Sequence, residues 1–203
     1  MHFDGANGST TFTDVIGRTW TATSGPVIST AQSLFGGASL LVGGAANYIE
    51  TSGSGLAPGA GDLTVDIAIR PTTVSGTRIF FDMRPNSTQG LNLTLYQSNS
   101  DVIFYTNAAN RITGAAALTV NAWHRIRLSK VSGQTRLFVN GTQVGSTYTD
   151  ANTYTGARIR IGDAGDTTGN FFIGNVDEFR YTLGVGRSTA NYTPDTVAFG
   201  DSA

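Results

Sequence analysis

An all-β fold is what this chain predicts, on three observations. Apolar and polar residues alternate with period two in segment after segment; Gly, Asn, Asp and Ser punctuate those segments at short intervals; and helical periodicity is nearly absent. With 203 residues the chain can bury one sizeable core. No linker, internal repeat or low-complexity tail divides it, so residues 1–203 read as a single domain, a two-sheet antiparallel β-sandwich. The 26 glycines and the low charged fraction, 13%, favour many short strands joined by tight turns.

Taken in order, the N-terminal "MHFDGANGST" has neither the basic nor the apolar region of a signal peptide. "LFGGASLLVGGAA" is too short and too glycine-rich to cross a bilayer, so no membrane insertion is expected. In "LTVDIAIRP" Val65, Ile67 and Ile69 alternate with Asp66, Ala68 and Arg70 until Pro71 closes the strand. Leu91, Leu93 and Leu95 alternate with Asn92, Thr94 and Tyr96; Ile126 and Leu128 with Arg125 and Arg127; Ile159 and Ile161 with Arg158 and Arg160. Such strands put one face on the core and leave the other wet. In "TRLFVNGTQVGS" Asn140-Gly141 supplies the two positive-φ residues of a type I′ turn. A second turn at Ser132-Gly133 makes residues 122–147 a three-stranded meander. "IGDAGDTTGN" is a polar loop, and residues 184–203 read as an irregular C-terminal wrap with one short helical turn.

Several function classes fall away on composition. The net charge is -1, Lys130 is the sole lysine and no basic run occurs, so no field draws the chain onto nucleic acid. The absence of cysteine removes disulfides, thiolate zinc sites and cysteine nucleophiles together. His124, beside Trp123 on a strand, reads as sheet packing, and neither a Gly-x-Ser-x-Gly elbow nor a phosphate-cradling loop is present.

Carboxylates need closer reading. "FFIGNVDEFRYT" sets Asp177 beside Glu178, in a chain whose one other glutamate is Glu50. Successive side chains of a strand point to opposite faces, so the two do not converge on one substrate bond. A glycosidase needs two carboxylates about 5 to 10 Å apart across that bond. Asp62 and Asp66 stand four apart, but Asp62 follows "GAG" at a strand mouth and reads as a turn residue. No catalytic residue is assigned. Two readings of the acidic neighbours remain: they belong to a metal site, or Asp177 caps backbone amides while Glu178 pairs with Arg180 or Arg125. The loop residues Asp163, Asp166 and Asn170 fit no calcium-loop spacing. A sugar site needs an aromatic face for the pyranose and planar side chains that read hydroxyls. Tyr96 and Asn92 share the polar face of one strand and Asp66 lies on that of another. If the two strands share a sheet, Asp66, Asn92 and Tyr96 form a shallow sugar groove; otherwise they are ordinary solvent-facing sheet or a subunit contact.

Four segments occur in order between Phe3 and Pro194: "FGGASLLVGGAANYIET", "DLTVDIAIRP", "NAWHRIRLSKVSGQTRLFVNGTQVG" and "IGNVDEFRYTLGVGRSTANYTP". Together they resemble the laminin G-like, concanavalin A-like jelly-roll family. That resemblance implies a jelly roll and one structural calcium ion, with Asp177 as side-chain ligand, a carbonyl from Gly37 and Asp4 close by. The last segment resembles versions on bacteriophage virion proteins. It implies a non-enzymatic recognition module on a virion surface, in a tail fibre or capsid decoration, made in the host cytoplasm. Its expected partners are a host-surface glycan, other virion proteins and, in a homo-oligomer, further copies of itself. The alternatives are a purely structural decoration protein and, further off, a glycan hydrolase or lyase.

Overall fold

The computed structural model describes residues 1–85, 91–165 and 169–201. Its strands pair antiparallel in two sheets. From edge to edge the first sheet is β1 (Phe12–Thr13), β2 (Thr19–Thr23), β5 (Tyr48–Ser52), β14 (Arg158–Ile161), β7 (Thr77–Asp82), β8 (Thr94–Ser98), β9 (Asp101–Thr106) and β10 (Ala109–Gly114). The second is β13 (Thr142–Thr149), β12 (Gln134–Val139), β11 (His124–Val131), β6 (Leu63–Pro71), β15 (Gly174–Leu183), β4 (Ser39–Val42) and β3 (Val27–Ser29).

Period-two alternation builds the core. Leu63, Val65, Ile67 and Ile69 of β6 point inward, into the same hydrophobic cluster as Phe81, Leu95 and Phe104 of the opposing sheet. Each such side chain contributes about 1.5–3 kcal/mol by leaving water. An aromatic chain crosses between the sheets: Trp20 meets Phe179 edge-on at 5.7 Å between centroids, and Phe179 meets Phe81 at 6.0 Å.

The meander forms as the turn residues require. Asn140 and Gly141 have φ of 51° and 82°, and Ser132 and Gly133 have 49° and 71°, the positive values of a type I′ turn. Gly141 also lies against the C-terminal wrap, since a Cβ there would come 2.0 Å from the Tyr192 carbonyl oxygen. Gly141→Ala is expected to cost more than about 1 kcal/mol, because alanine meets both the positive φ and that contact. Chemical denaturation checks this; a variant as stable as the parent would mean that the wrap does not seat on the turn.

Two expectations are corrected here. The second face of β6 is not wet: Thr64, Asp66 and Ala68 are as buried as their inward neighbours. Residues after β15 cover that face, with Arg187 N donating to Thr64 Oγ1 at 3.0 Å, Ser188 N to Ser129 Oγ at 3.0 Å and Tyr192 N to the Gly141 carbonyl at 2.9 Å. The wrap also contains no helical turn; among the described residues the one helical turn is 3-10, at Ser54–Leu56. Several backbone groups of the wrap are met by the sheet beneath instead, among them the Val185 carbonyl and the Arg187, Ser188 and Tyr192 amides.

Candidate functional site

The outer face of the first sheet carries an aromatic and polar surface. Alternation in β8 and β9 sends Leu95, Val102 and Phe104 into the core and turns Thr94, Tyr96, Ile103 and Tyr105 to the other face, where Thr94 and Ile103 are buried and the two tyrosines are partly exposed. Register then places Tyr96 opposite Ile103 and Thr94 opposite Tyr105. The two tyrosine rings meet edge to face, 6.3 Å between centroids and 64° apart. Tyr96 donates its hydroxyl to Asn110 Oδ1 at 2.7 Å, and the Arg84 guanidinium lies 5.8 Å from the Tyr105 ring centre. Burial raises the Tyr96 hydroxyl above its ordinary pKa, against the opposing effect of its hydrogen bond with Asn110. The phenol is therefore neutral at physiological pH, with oxygen lone pairs left to accept.

The same face continues through β7, β14 and β5. Asp82 is fully buried and accepts from Arg84 Nε at 2.9 Å, Thr94 Oγ1 at 2.9 Å and the Arg84 and Gly165 amides. Beyond it, Arg160 lies 3.6 Å over the Tyr48 ring and donates to Glu50 Oε2 from Nε and Nη2 at 3.0 and 2.8 Å. Sequence reasoning singled out Tyr96 and missed Tyr105. The signal was available in part: "DVIFYT" is a strand-forming apolar run, and a hairpin with "LYQS" across Asn99, whose φ is 53°, sets Tyr105 near Tyr96.

The groove expected from Asp66, Asn92 and Tyr96 does not form. Asp66 lies on β6 in the second sheet and Tyr96 on β8 in the first. Asp66 is 4% exposed, accepting from Arg127 Nε at 2.5 Å and from Arg180 Nε and Nη2 at 3.0 and 2.9 Å. Arg127 in turn lies 3.9 Å over Tyr192, and Arg180 3.8 Å over Phe199. Asp66 is a clasp beneath the wrap, without access to a sugar. Asn92 is buried too, packed so closely on Gly156 that a Cβ there would lie 2.4 Å from its Oδ1. Of the three residues, Tyr96 alone reaches the surface.

Asp177 and Glu178 follow the capping expectation in part. Simple alternation breaks between them: Asp177 pairs with Ala68 and Arg180 with Asp66, leaving Glu178 and Phe179 opposite one residue in a β-bulge with Glu178 φ at 48°. Asp177 caps amides, its Oδ2 accepting from Leu34 N at 2.8 Å and Phe35 N at 3.2 Å, and its Oδ1 from Glu178 N at 2.8 Å. Burial pushes its carboxyl up to about 7, although those three amides favour the anion. Glu178 pairs with no arginine; it meets His2 Nδ1 at 2.7 Å and accepts from Phe199 N at 2.7 Å.

The set Asp4, Gly37 and Asp177 does not fit calcium. That ion gathers six to eight oxygens, whereas three amide N–H groups converge on Asp177. Asp4 is exposed and lies over Gly36, where a Cβ would come 1.9 Å from its Oδ1, and the Gly37 amide donates to the Phe35 carbonyl. Among the described residues no three His, Asp or Glu side chains gather into a cluster that could hold a metal ion. Asp166 of the polar loop lies outside the described residues.

Acid–base chemistry finds no better arrangement. Glu50 and Glu178 belong to different sheets. Asp163 is close enough to Asp82 to sense its charge, and burial raises Asp163, but the two are 1% and 0% exposed. His124 is buried against Thr119, whose amide donates to its Nε2 at 3.0 Å, which is a packing role.

A family model described as the Concanavalin A-like lectin/glucanases superfamily matches residues 43–182. No curated protein sequence matches the chain. Solved structures share the fold at low identity. The CBM40 domain of the Ruminococcus gnavus IT-sialidase, bound to alpha2,3 sialyllactose, is 16% identical with a TM-score of 0.54, over 65% of this chain and 80% of that one. Domain 4 of an extracellular arabinanase from Geobacillus stearothermophilus, in complex with arabinotriose, is 16% identical with a TM-score of 0.52, over 83% and 78%. Domains LG4-5 of the mouse laminin alpha1 chain are 21% identical with a TM-score of 0.52, over 79% and 46%.

Proposed function

From the premise that the chain belongs to the concanavalin A-like lectin/glucanases superfamily, we propose that it is a non-enzymatic glycan-recognition module. The observation that carries this reading is the Tyr96–Tyr105 pair on the outer face of the first sheet, with Asn110 and Arg84 beside it. A pyranose lays its C–H face on such rings while neighbouring polar groups read its hydroxyls. Two of the similar folds are solved with sugars bound, sialyllactose in one and arabinotriose in the other, which supports the same use of this scaffold. The engaged or buried state of Glu50, Asp66, Asp82, Asp163, Asp177 and Glu178 favours holding over cutting.

The module's proposed place is a bacteriophage virion surface, in a tail fibre or capsid decoration that meets host glycans. The closing segment "IGNVDEFRYTLGVGRSTANYTP" supports this by its resemblance to such proteins. Display in many copies offsets weak single-site binding, because linked modules gain effective concentration without new contacts.

Tyr96→Ala and Tyr105→Ala test the reading. Each is expected to weaken glycan binding roughly tenfold, the loss of one stacking partner, with little change in melting temperature since both rings lie outside the core. Glycan-array signal followed by calorimetry provides the measurement. Undiminished binding in both variants would remove this face from consideration, and turnover of any polysaccharide by the pure protein would overturn the non-enzymatic reading.

A further inference from the structure

A second cleft, remote from the tyrosine face in its lining residues, opens at the edge of the sandwich. Strand β4 pairs with β15 only at Gly174, Asn175 and Val176. Beyond those residues, among the described residues, Met1 meets the β4-side edge of β15 at Phe179, whose amide donates to the Met1 carbonyl at 3.0 Å and whose carbonyl accepts from the Met1 N-terminus at 2.6 Å. Across from it stands the turn joining β1 to β2. Between them lies an open cleft of about 500 Å³.

Its floor is apolar and aromatic, formed by Trp20, Leu56 and Tyr181, and its rim includes Val15, Ile16 and Val185. Those three rim residues are half or more exposed or nearly so, at 51%, 67% and 47%. Around this surface stand Arg18, Arg180 and Arg187, in a protein whose net charge is -1. The acidic group within the lining, Asp14, is spoken for by the Arg18 amide at 2.8 Å and Trp20 Nε1 at 3.3 Å, and its carboxylate stands 4.0 Å from the Arg18 guanidinium. Arg180 is committed to Asp66.

Arg187 differs from both. Its side chain reaches only Thr182 Oγ1, at 3.4 Å, and no carboxylate of the described residues lies within ion-pair distance. Burial, and then the charge of Arg180, lower its pKa from the ordinary arginine value, against the more distant charges of Asp66 and Asp195. A guanidinium with no carboxylate in direct contact, beside a second guanidinium, favours an incoming anion, and its planar fork matches a carboxylate bidentately.

We propose that this cleft is a second binding site, specific for a carboxylate-bearing sugar, with the carboxylate on Arg187 and Arg18 and the sugar ring against the apolar floor. This rests on the glycan-recognition reading but uses none of the residues of the tyrosine face.

Calorimetry or chemical-shift titration at low salt tests it with trigalacturonic acid, its methyl ester and trimeric sialic acid, on the parent, Arg187→Gln and Tyr96→Ala. Binding of at least one acid by the parent and by Tyr96→Ala, tenfold or more weaker in Arg187→Gln, is the expected result. For trigalacturonic acid the methyl ester binds correspondingly less, and raised salt weakens the acid. The two acids separate a uronic from a sialic ligand. Equal binding by Arg187→Gln, equal binding of ester and acid where trigalacturonic acid is the ligand, or no binding of either acid would overturn the proposal. Loss of acid binding in Tyr96→Ala with retention in Arg187→Gln would place the acid on the tyrosine face, leaving that reading intact and the cleft without a ligand.

Discussion

Asp66→Ala is expected to lower stability by about 3–5 kcal/mol, the cost of stranding buried charge. The carboxylate takes one hydrogen bond from Arg127 and two from Arg180, and Arg127 is only 7% exposed. Without Asp66 both guanidinium groups remain beneath the wrap with no counter-charge. Their stacks on Tyr192 and Phe199 hold residues 192–199 over β6 and β11, so the wrap loosens with them. Two measurements check this: the denaturation midpoint falls at unchanged slope, and limited proteolysis cuts first near the C-terminus. The fall is specific to charge if Asp66→Ala combined with Arg127→Met recovers part of it, since removing both partners is cheaper than removing one. Glycan binding at Tyr96 is expected to stay unchanged below the melting transition, because that residue lies in the other sheet. A loss below about 1 kcal/mol would show that solvent already screens the clasp.

The same network marks where sequence reading stops. Period-two patterns made the strands legible, and Asn140-Gly141 gave a hairpin whose turn dihedrals agree with the expectation, because both signals are local. Whether the second face of a strand is wet depends on what later crosses it. Nothing in "LTVDIAIRP" reveals that residues 184–201 cover Asp66, so a buried clasp and a sugar-facing carboxylate look alike in sequence. Sheet membership is equally long-range: β6 and β8 are separated in sequence by β7 alone but lie in different sheets. The bulge at Glu178 had no glycine to announce it, and it changed which way a carboxylate points. Tyr105 was hidden for a milder reason, since its role appears only once the β8–β9 register is known.

Stability should also fall as pH rises from about 4 to about 7, with Asp177 responsible for much of the slope. Its carboxyl titrates near 3.8 when solvated and is pushed up to about 7 by burial in the folded chain. The native state therefore holds this proton more tightly than the unfolded state does. The resulting stabilisation is complete below the ordinary carboxylate range and is lost as pH climbs through the folded value, by an amount on the order of 4 kcal/mol. Asp163, also raised by burial, adds to the acid end of the same slope. His2 continues it upward. Burial alone would lower its pKa, but hydrogen bonds to Glu178 and Asp201 outweigh that and raise it above 6.5. Stability from His2 is thus complete below 6.5 and lost as pH passes its raised folded value. Asp177→Asn should flatten the curve between about 4 and 7, and His2→Gln the part above 6.5, each leaving the other segment in place. Denaturant midpoints at half-unit pH steps resolve the two windows. Were the parent curve flat or rising across the lower window, or Asp177→Asn as steep as the parent, the three amides on Asp177 would have to outweigh its burial, making it an ordinary low-pKa cap.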